Sequence, residues 1–125
     1  MALAARSQKA KVPVTLPGEL EQAMREAMAK EGVSPRKKSR WVAEALRDFM
    51  AQGAESILEN DVLTGRCLDA GGGGDNSRVH VLSLDEDDHL ALVSLIGELR
   101  QRDPYLPATQ SALIRAAILD RLARG

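Results

Sequence analysis

A strand–helix–helix pattern that the chain states twice constrains its fold more than any other feature. Near the start, Val12-Pro13-Val14-Thr15-Leu16 alternates as a strand does and leads into a helical stripe. A turn at Gly32 follows, then a helix containing Ser39-Arg40-Trp41-Val42-Ala43-Glu44-Ala45-Leu46. Near the end, Val79-His80-Val81-Leu82-Ser83-Leu84 leads into a second stripe. After the break at Pro104 and Pro107 comes Ser111-Ala112-Leu113-Ile114-Arg115-Ala116-Ala117-Ile118. Ser39 lies 23 residues beyond Leu16 and Ser111 lies 27 beyond Leu84, so the second copy carries four extra residues. One copy alone is too small to bury a core, and the expectation is an intertwined pair within one 125-residue chain.

The periodicity gives each element a reason. Alternation puts Val12, Val14 and Leu16 on one face of the first strand and Lys11, Pro13 and Thr15 on the other. Pro13 lacks a ladder donor, which only an edge strand tolerates; a two-stranded ribbon consists of edges. Leu20, Ala23, Met24, Ala27 and Met28 follow with helical spacing, and Gly32 supplies the stop. The next helix has two candidate starts: Ser34-Pro35, a good cap with proline behind it, or Lys37–Lys38, the position that aligns the copies. Its stripe is Trp41, Val42, Ala45, Leu46 and Phe49, with Met50 alongside. In the second copy Leu82 and Leu84 face inward by analogy with Leu16, leaving Val79, Val81 and Ser83 outward. Ser83 and Glu86 have capping-box spacing, and residues 85–88 load that helix start with negative charge. Leu92, Leu95, Ile96 and Leu99 form its stripe. Thr109 is the candidate cap of the last helix, whose apolar face holds Leu113, Ile114, Ala117, Ile118 and Leu122.

These signals divide the chain into a flexible basic arm (1–10), a first unit (11–52), a Gly-rich linker (53–77) and a second, divergent unit (78–125). Within the linker, Ile57 to Leu63 form a short turn or helix, and Gly71-Gly72-Gly73-Gly74 form a tether. A phosphate-cradling loop would need a preceding apolar strand and a following Lys-Ser/Thr pair, both missing beside these glycines. The lone Cys67 excludes an internal disulfide and offers no metal set. Aromatic residues make up only 2% of the chain, so Leu, Val, Ile, Ala and Met must build the core. The first ten residues lack a secretory apolar core and no apolar run approaches the ~18 residues of a membrane span, pointing to a cytoplasmic, non-membrane chain.

The overall charge of −1 hides an asymmetry. Residues 1–53 hold ten basic and six acidic side chains, including every lysine. Residues 54–77 hold one basic side chain and five acidic ones, and residues 78–125 hold six and seven. A polyanion therefore meets the first copy more favourably than the second.

The two copies together resemble the ribbon–helix–helix superfamily of Arc-type and MetJ-type DNA-binding proteins. The likeness rests on Val12-Pro13-Val14-Thr15-Leu16-Pro17-Gly18-Glu19-Leu20 and on Ser39-Arg40-Trp41-Val42-Ala43-Glu44-Ala45-Leu46. It covers 11–50 well and 79–122 more loosely. The tandem form is similar to accessory DNA-binding proteins of conjugative plasmids. The resemblance implies a mainly helical fold of two ribbon–helix–helix units (βαα-linker-βαα), with one antiparallel two-stranded ribbon and four helices. It implies double-stranded DNA as partner, the ribbon in the major groove, and a role as repressor, other transcriptional regulator, or plasmid transfer or maintenance factor. Carried over by position, base contact falls on Lys11, Pro13 and Thr15 and on Val79, Val81 and Ser83. Phosphate contact falls on Arg36, Lys37, Lys38, Ser39 and Arg40, and on Thr109, Gln110 and Ser111. The valines and Pro13 depart from a polar reading face: valine can touch a thymine methyl but donates nothing to a base.

The remaining chemistry-bearing residues read as structural. Trp41, Met24 and Met28 belong to the core, and His80 and His89 lack the spacing of ligands or catalysts. Residues 85–88 lack the glycine and terminal glutamate of a calcium loop. With no nucleophile–base pair, no metal set and no cofactor motif, an enzyme is not expected. The competing expectation is a helical interaction module, antitoxin-like or adaptor, whose acidic second half binds a protein. The linker permits pairing of the copies within one chain or between the chains of a homodimer.

Overall fold

The strongest local pattern, apolar alternation, produces the two strands of the computed structural model, which describes residues 9–59, 78–104 and 108–124. Strand β1 (Lys9–Leu16) buries Val12, Val14 and Leu16, and strand β2 (Arg78–Asp85) buries Leu82 and Leu84. The strands pair antiparallel, with Lys11 opposite Ser83, Pro13 opposite Val81 and Thr15 opposite Val79. The amide of Ser83 points out of the ladder and donates to Ser39 Oγ at 3.0 Å. Antiparallel pairs alternate between hydrogen-bonded and open, so Lys11–Ser83, Pro13–Val81 and Thr15–Val79 are the open ones. Pro13 thus sits where its missing donor breaks no ladder bond.

Helix α1 (Gly18–Lys30) follows Pro17 and buries Leu20, Met24 and Met28. It ends where Gly32 takes φ +73°, and the Val33 amide returns to the Met28 carbonyl at 2.8 Å. Both candidate starts of the next helix are used. Ser34 Oγ accepts from the Arg36 amide at 3.3 Å and caps a single 3-10 turn, Pro35–Lys37, and α2 (Lys38–Met50) continues from it. Trp41, Val42, Ala45, Leu46 and Phe49 are all buried, and the helix ends before Gly53 at φ +87°.

Past Gly53 the structure departs from the sequence expectation. A short helix, α3 (Ala54–Glu59), begins three residues before the turn or helix expected at Ile57 and buries Ala54 and Ile57, so the start of the expected linker is packed structure. Lys9 and Ala10, assigned to the flexible arm, belong to β1. The expected arm at 1–8 and the tether with Cys67 and the four glycines lie outside the described residues.

Helix α4 (Glu86–Arg102) starts directly from β2, with Asp85 as its cap residue and Glu86, Asp87 and Asp88 in its first turn. The capping box expected from Ser83 and Glu86 does not form. Ser83 is still in the strand, where its hydroxyl accepts from Lys11 Nζ at 2.8 Å. Leu92, Leu95 and Leu99 are buried, and Asp103 ends the helix ahead of Pro104. Thr109 Oγ1 accepts from the Ala112 amide at 3.1 Å and caps α5 (Gln110–Arg124) as expected. Every residue from Ala112 to Ile118 is buried, making α5 the central helix.

The described residues therefore form a mainly helical fold, five α-helices and one two-stranded antiparallel sheet. Helix α2 packs on β2 and α5 packs on β1, and the most extensive helix–helix contact is between α2 and α5. Each strand is thus covered by a helix from the other part of the chain, and a single apolar cluster runs through both parts. Among the described residues no helix is long and apolar enough to cross a membrane.

Candidate nucleic-acid interface

The helices cover one ribbon face, so the side chains of opposite parity are left on the other. Val79 is 66% exposed and Val81 60%, Lys11 and Pro13 are exposed, and Thr15 and Ser83 are half-buried. All six ribbon positions named from the sequence therefore share one face. Their pairing sorts them by end rather than by strand. One end carries Lys9 opposite Asp85, joined by an ion pair, and Lys11 bonded to Ser83. The centre and the other end carry Pro13 opposite Val81 and Thr15 opposite Val79. One end is polar and charged; the outward rows of the other are apolar, with the exposed Arg78 at its tip, opposite Leu16.

The start of α2 flanks the polar end. The bond from the Ser83 amide to Ser39 Oγ ties that helix start to β2. Beside it lies an open groove lined by Lys9, Arg36, Lys37, Arg40 and Arg47, with Ser39, Ser83 and Asp85 at its floor and edge. Arg36 and Lys37 are exposed on the 3-10 turn, and Arg40 reaches Glu44 only at 3.6 Å. Cations at a helix N-terminus oppose the helix dipole, so this arrangement favours an anion that both can face.

Two cations of this groove went unrecognised in the sequence. Lys9 falls within the expected arm, although its parity matches Lys11. Arg47 lies seven residues after Arg40, on the same helix face, and that spacing is the signal that could have found it. Its guanidinium reaches Asp88 Oδ2 at 2.7 Å and Asp85 Oδ2 at 3.1 Å. The Asp88 hydrogen bond holds the Arg47 proton more tightly than usual, and the Lys9 ammonium lowers the Asp85 carboxyl below its ordinary range.

Lys38 is the one expected phosphate contact that the structure turns inward. Its Nζ lies 2.9 Å from His80 Nδ1, beneath the ribbon. An ammonium can only donate, so His80 Nδ1 accepts and the ring carries its proton on Nε2. Nε2 is buried, with Glu21 Oε1 3.5 Å away, too long for a strong hydrogen bond. Burial pushes the imidazole below its ordinary pKa and Lys38 pushes it further, while Glu21 pulls the other way. Ser39 is also committed, its hydroxyl being the acceptor for Ser83.

The opposite flank has a different character. Thr109, Gln110 and Ser111 do surround the start of α5, but the first turn of that helix carries no charge. Thr109 is occupied as the cap, and Ser111 Oγ lies 3.5 Å from the Pro13 carbonyl. Arg115, only 6% exposed, donates from Nη1 to the Thr15 carbonyl at 3.0 Å and braces the strand from within. Arg100 holds the segment before the helix, donating to the Ala108 carbonyl at 3.1 and 2.8 Å.

A second polar cluster joins the two parts of the chain. Trp41 is 1% exposed, its indole N–H donates to Glu31 Oε2 at 3.1 Å, and the Arg121 guanidinium lies over its ring, 4.5 Å from the centroid. Arg121 also pairs with Glu31 and Glu44, which fits the reading of Trp41 as core. Among the described residues no group of His, Cys, Asp and Glu could hold a metal ion. Neither a family model, a curated protein nor a solved structure matches the chain.

Proposed function

We propose that this chain is a double-stranded DNA-binding protein of tandem ribbon–helix–helix design that inserts the β1–β2 ribbon into the major groove. Its role is that of a transcriptional regulator, a repressor being the simplest form, or of a plasmid transfer or maintenance factor. One observation carries the reading: the exposed ribbon face is continuous, at its polar end, with the groove of Lys9, Arg36, Lys37, Arg40 and Arg47. A two-stranded ribbon fits a groove roughly 12 Å wide, and the cations beside it then meet the phosphates of the groove wall. Pro13 and Val81, which hold the same place in the two sequence copies, face each other across the ribbon, as they would in a two-fold-related pair. One chain supplies both strands, so a single protomer is a sufficient binding unit.

Fluorescence anisotropy on duplex DNA over a salt series tests this. Binding should weaken steeply with salt, because each neutralised phosphate releases a counterion. Salt-independent affinity, or no association at low salt, overturns the reading.

The competing interaction module has one observation in its favour. Leu90 (56% exposed) and Val93 (44% exposed) stand on the outer surface of α4, beyond its acidic first turn. That area is small for a stable interface. Salt-insensitive association with a protein, and none with DNA, would select it.

A further inference from the structure

Val79 and Val81 are the two most exposed large apolar side chains among the described residues. They stand two positions apart on one strand, opposite Thr15 and Pro13, and no ionisable side chain interrupts these two rows. The flank beside them is the uncharged start of α5. All the cations of the groove stand at the other end.

We infer that the apolar end of the ribbon reads the 5-methyl groups of thymine, so that the DNA site is non-palindromic and the protein binds it in one orientation. The inference rests on the DNA-binding reading above and names the chemistry of that site. The C5-methyl of thymine is the one apolar group that base edges present in the major groove. Against any other base edge, Val79, Val81 and Pro13 would bury polar atoms without a partner. A strand rises about 3.4 Å per residue, so the two rows lie about 6.8 Å apart, or about two base-pair steps. At the polar end Lys11 can donate to the guanine N7 and O6 acceptors, and Arg36, Lys37 and Arg40 anchor phosphates beside it. Lys9 and Arg47 are held by Asp85 and Asp88, and the other end has the exposed Arg78 at its tip. Charge thus fixes which way round the protein sits, and methyl groups are read on the side away from the anchor.

The test uses the full chain and duplexes selected from a random pool at low salt. Each thymine of a bound duplex is replaced in turn by deoxyuridine, which removes only the methyl group. The expected result is a loss of about fourfold per methyl, the worth of one buried CH₂ group. It should appear at positions about two base pairs apart and on one side of the site only. Neutral methylphosphonates should weaken binding mainly on the other side. The V79S/V81S variant should no longer distinguish thymine from deoxyuridine, with its melting curve checking that it folds. Intact DNA binding with no thymine dependence overturns the inference and leaves the DNA reading standing. So does a dependence that persists in V79S/V81S or is symmetrical about the centre. Failure to bind any duplex at low salt overturns both.

Discussion

The two ends of the ribbon are built on the same plan and furnished for different work. At the polar end a helix start rich in cations stands beside Lys9 and Lys11, and Ser39 fastens that helix to the strand. At the apolar end an uncharged helix start stands beside Val79 and Val81, and the fastening is a buried arginine donating to the Thr15 carbonyl. Ala43 and Arg115 stand four residues after Ser39 and Ser111, so the same helical position is a methyl group at one end and a guanidinium at the other. A repeat that keeps its packing residues can diverge in everything the packing does not touch. In the proposed DNA-binding role, this difference separates anchoring from reading.

Arg115→Ala should have the largest effect, because a buried charged donor to a carbonyl is worth roughly 2 kcal/mol. Thermal melting should show that loss, and a melting point unchanged from the parent would mean that Arg115 does not brace the apolar end. Next comes the joint removal of Arg36 and Lys37 by alanine. In proposed DNA binding this should cost about tenfold in affinity near 0.1 M salt and reduce the salt slope by about two. The matching pair, Thr109→Ala with Gln110→Ala, should change affinity by less than about twofold. Equal losses from the two flanks would erase the distinction between anchor and reader.

Ser39→Ala should cost about 1 kcal/mol by stranding the Ser83 amide, with no change in salt slope. Ser111→Ala should cost less, since its 3.5 Å contact with Pro13 is weak. Chemical denaturation of the two single variants compares these directly.

The smallest effect is a pH dependence from His80. Burial lowers its pKa in the folded chain, so the unfolded chain binds the proton more readily. Stability is therefore fully present above the ordinary imidazole value of about 6.5 and declines as pH falls through it, levelling off below the lowered folded value. The side chains facing His80 are Lys38 from α2 and Glu21 and Arg25 from α1; burial is the largest cause of the lowering, Lys38 and Arg25 add to it, and Glu21 opposes it. His80→Gln should flatten the stability profile below the ordinary imidazole value. An equally steep profile in that variant would place the titration elsewhere.

Much of the fold was legible because its signals are local. Alternation in Val12–Leu16 and in Leu82–Leu84 marked the buried strand face, and the stripes of α1, α2 and α4 marked theirs. Ser34, Thr109, Gly32 and Gly53 marked helix ends through chemistry that acts within a few residues. The misses were contests between local and distant partners. Ser83 has the spacing of a cap, but Lys11 from the other strand and Ser39 from α2 claim its hydroxyl and its amide. Lys38 has the position of a phosphate contact, but His80 on β2 holds its ammonium. Helix α3 starts three residues before the short turn or helix expected at Ile57, because six residues carry too little periodicity to fix a boundary and the burial of Ala54 and Ile57 holds it.

By itself the sequence determined the two strands, four of the five helices, their inward faces, the caps at Ser34 and Thr109 and the concentration of positive charge in the first half of the chain. These follow from side-chain periodicity and backbone preference, which act over a turn or a few residues. Only the tertiary structure decided that the two strands pair in one ribbon, and that their outward residues sort by end rather than by strand. That choice belongs to the register, Lys9 opposite Asp85 through Leu16 opposite Arg78. The register follows from burying Val12, Val14, Leu16, Leu82 and Leu84 together beneath α2 and α5, because a slip of one residue would turn the whole apolar set of one strand toward water.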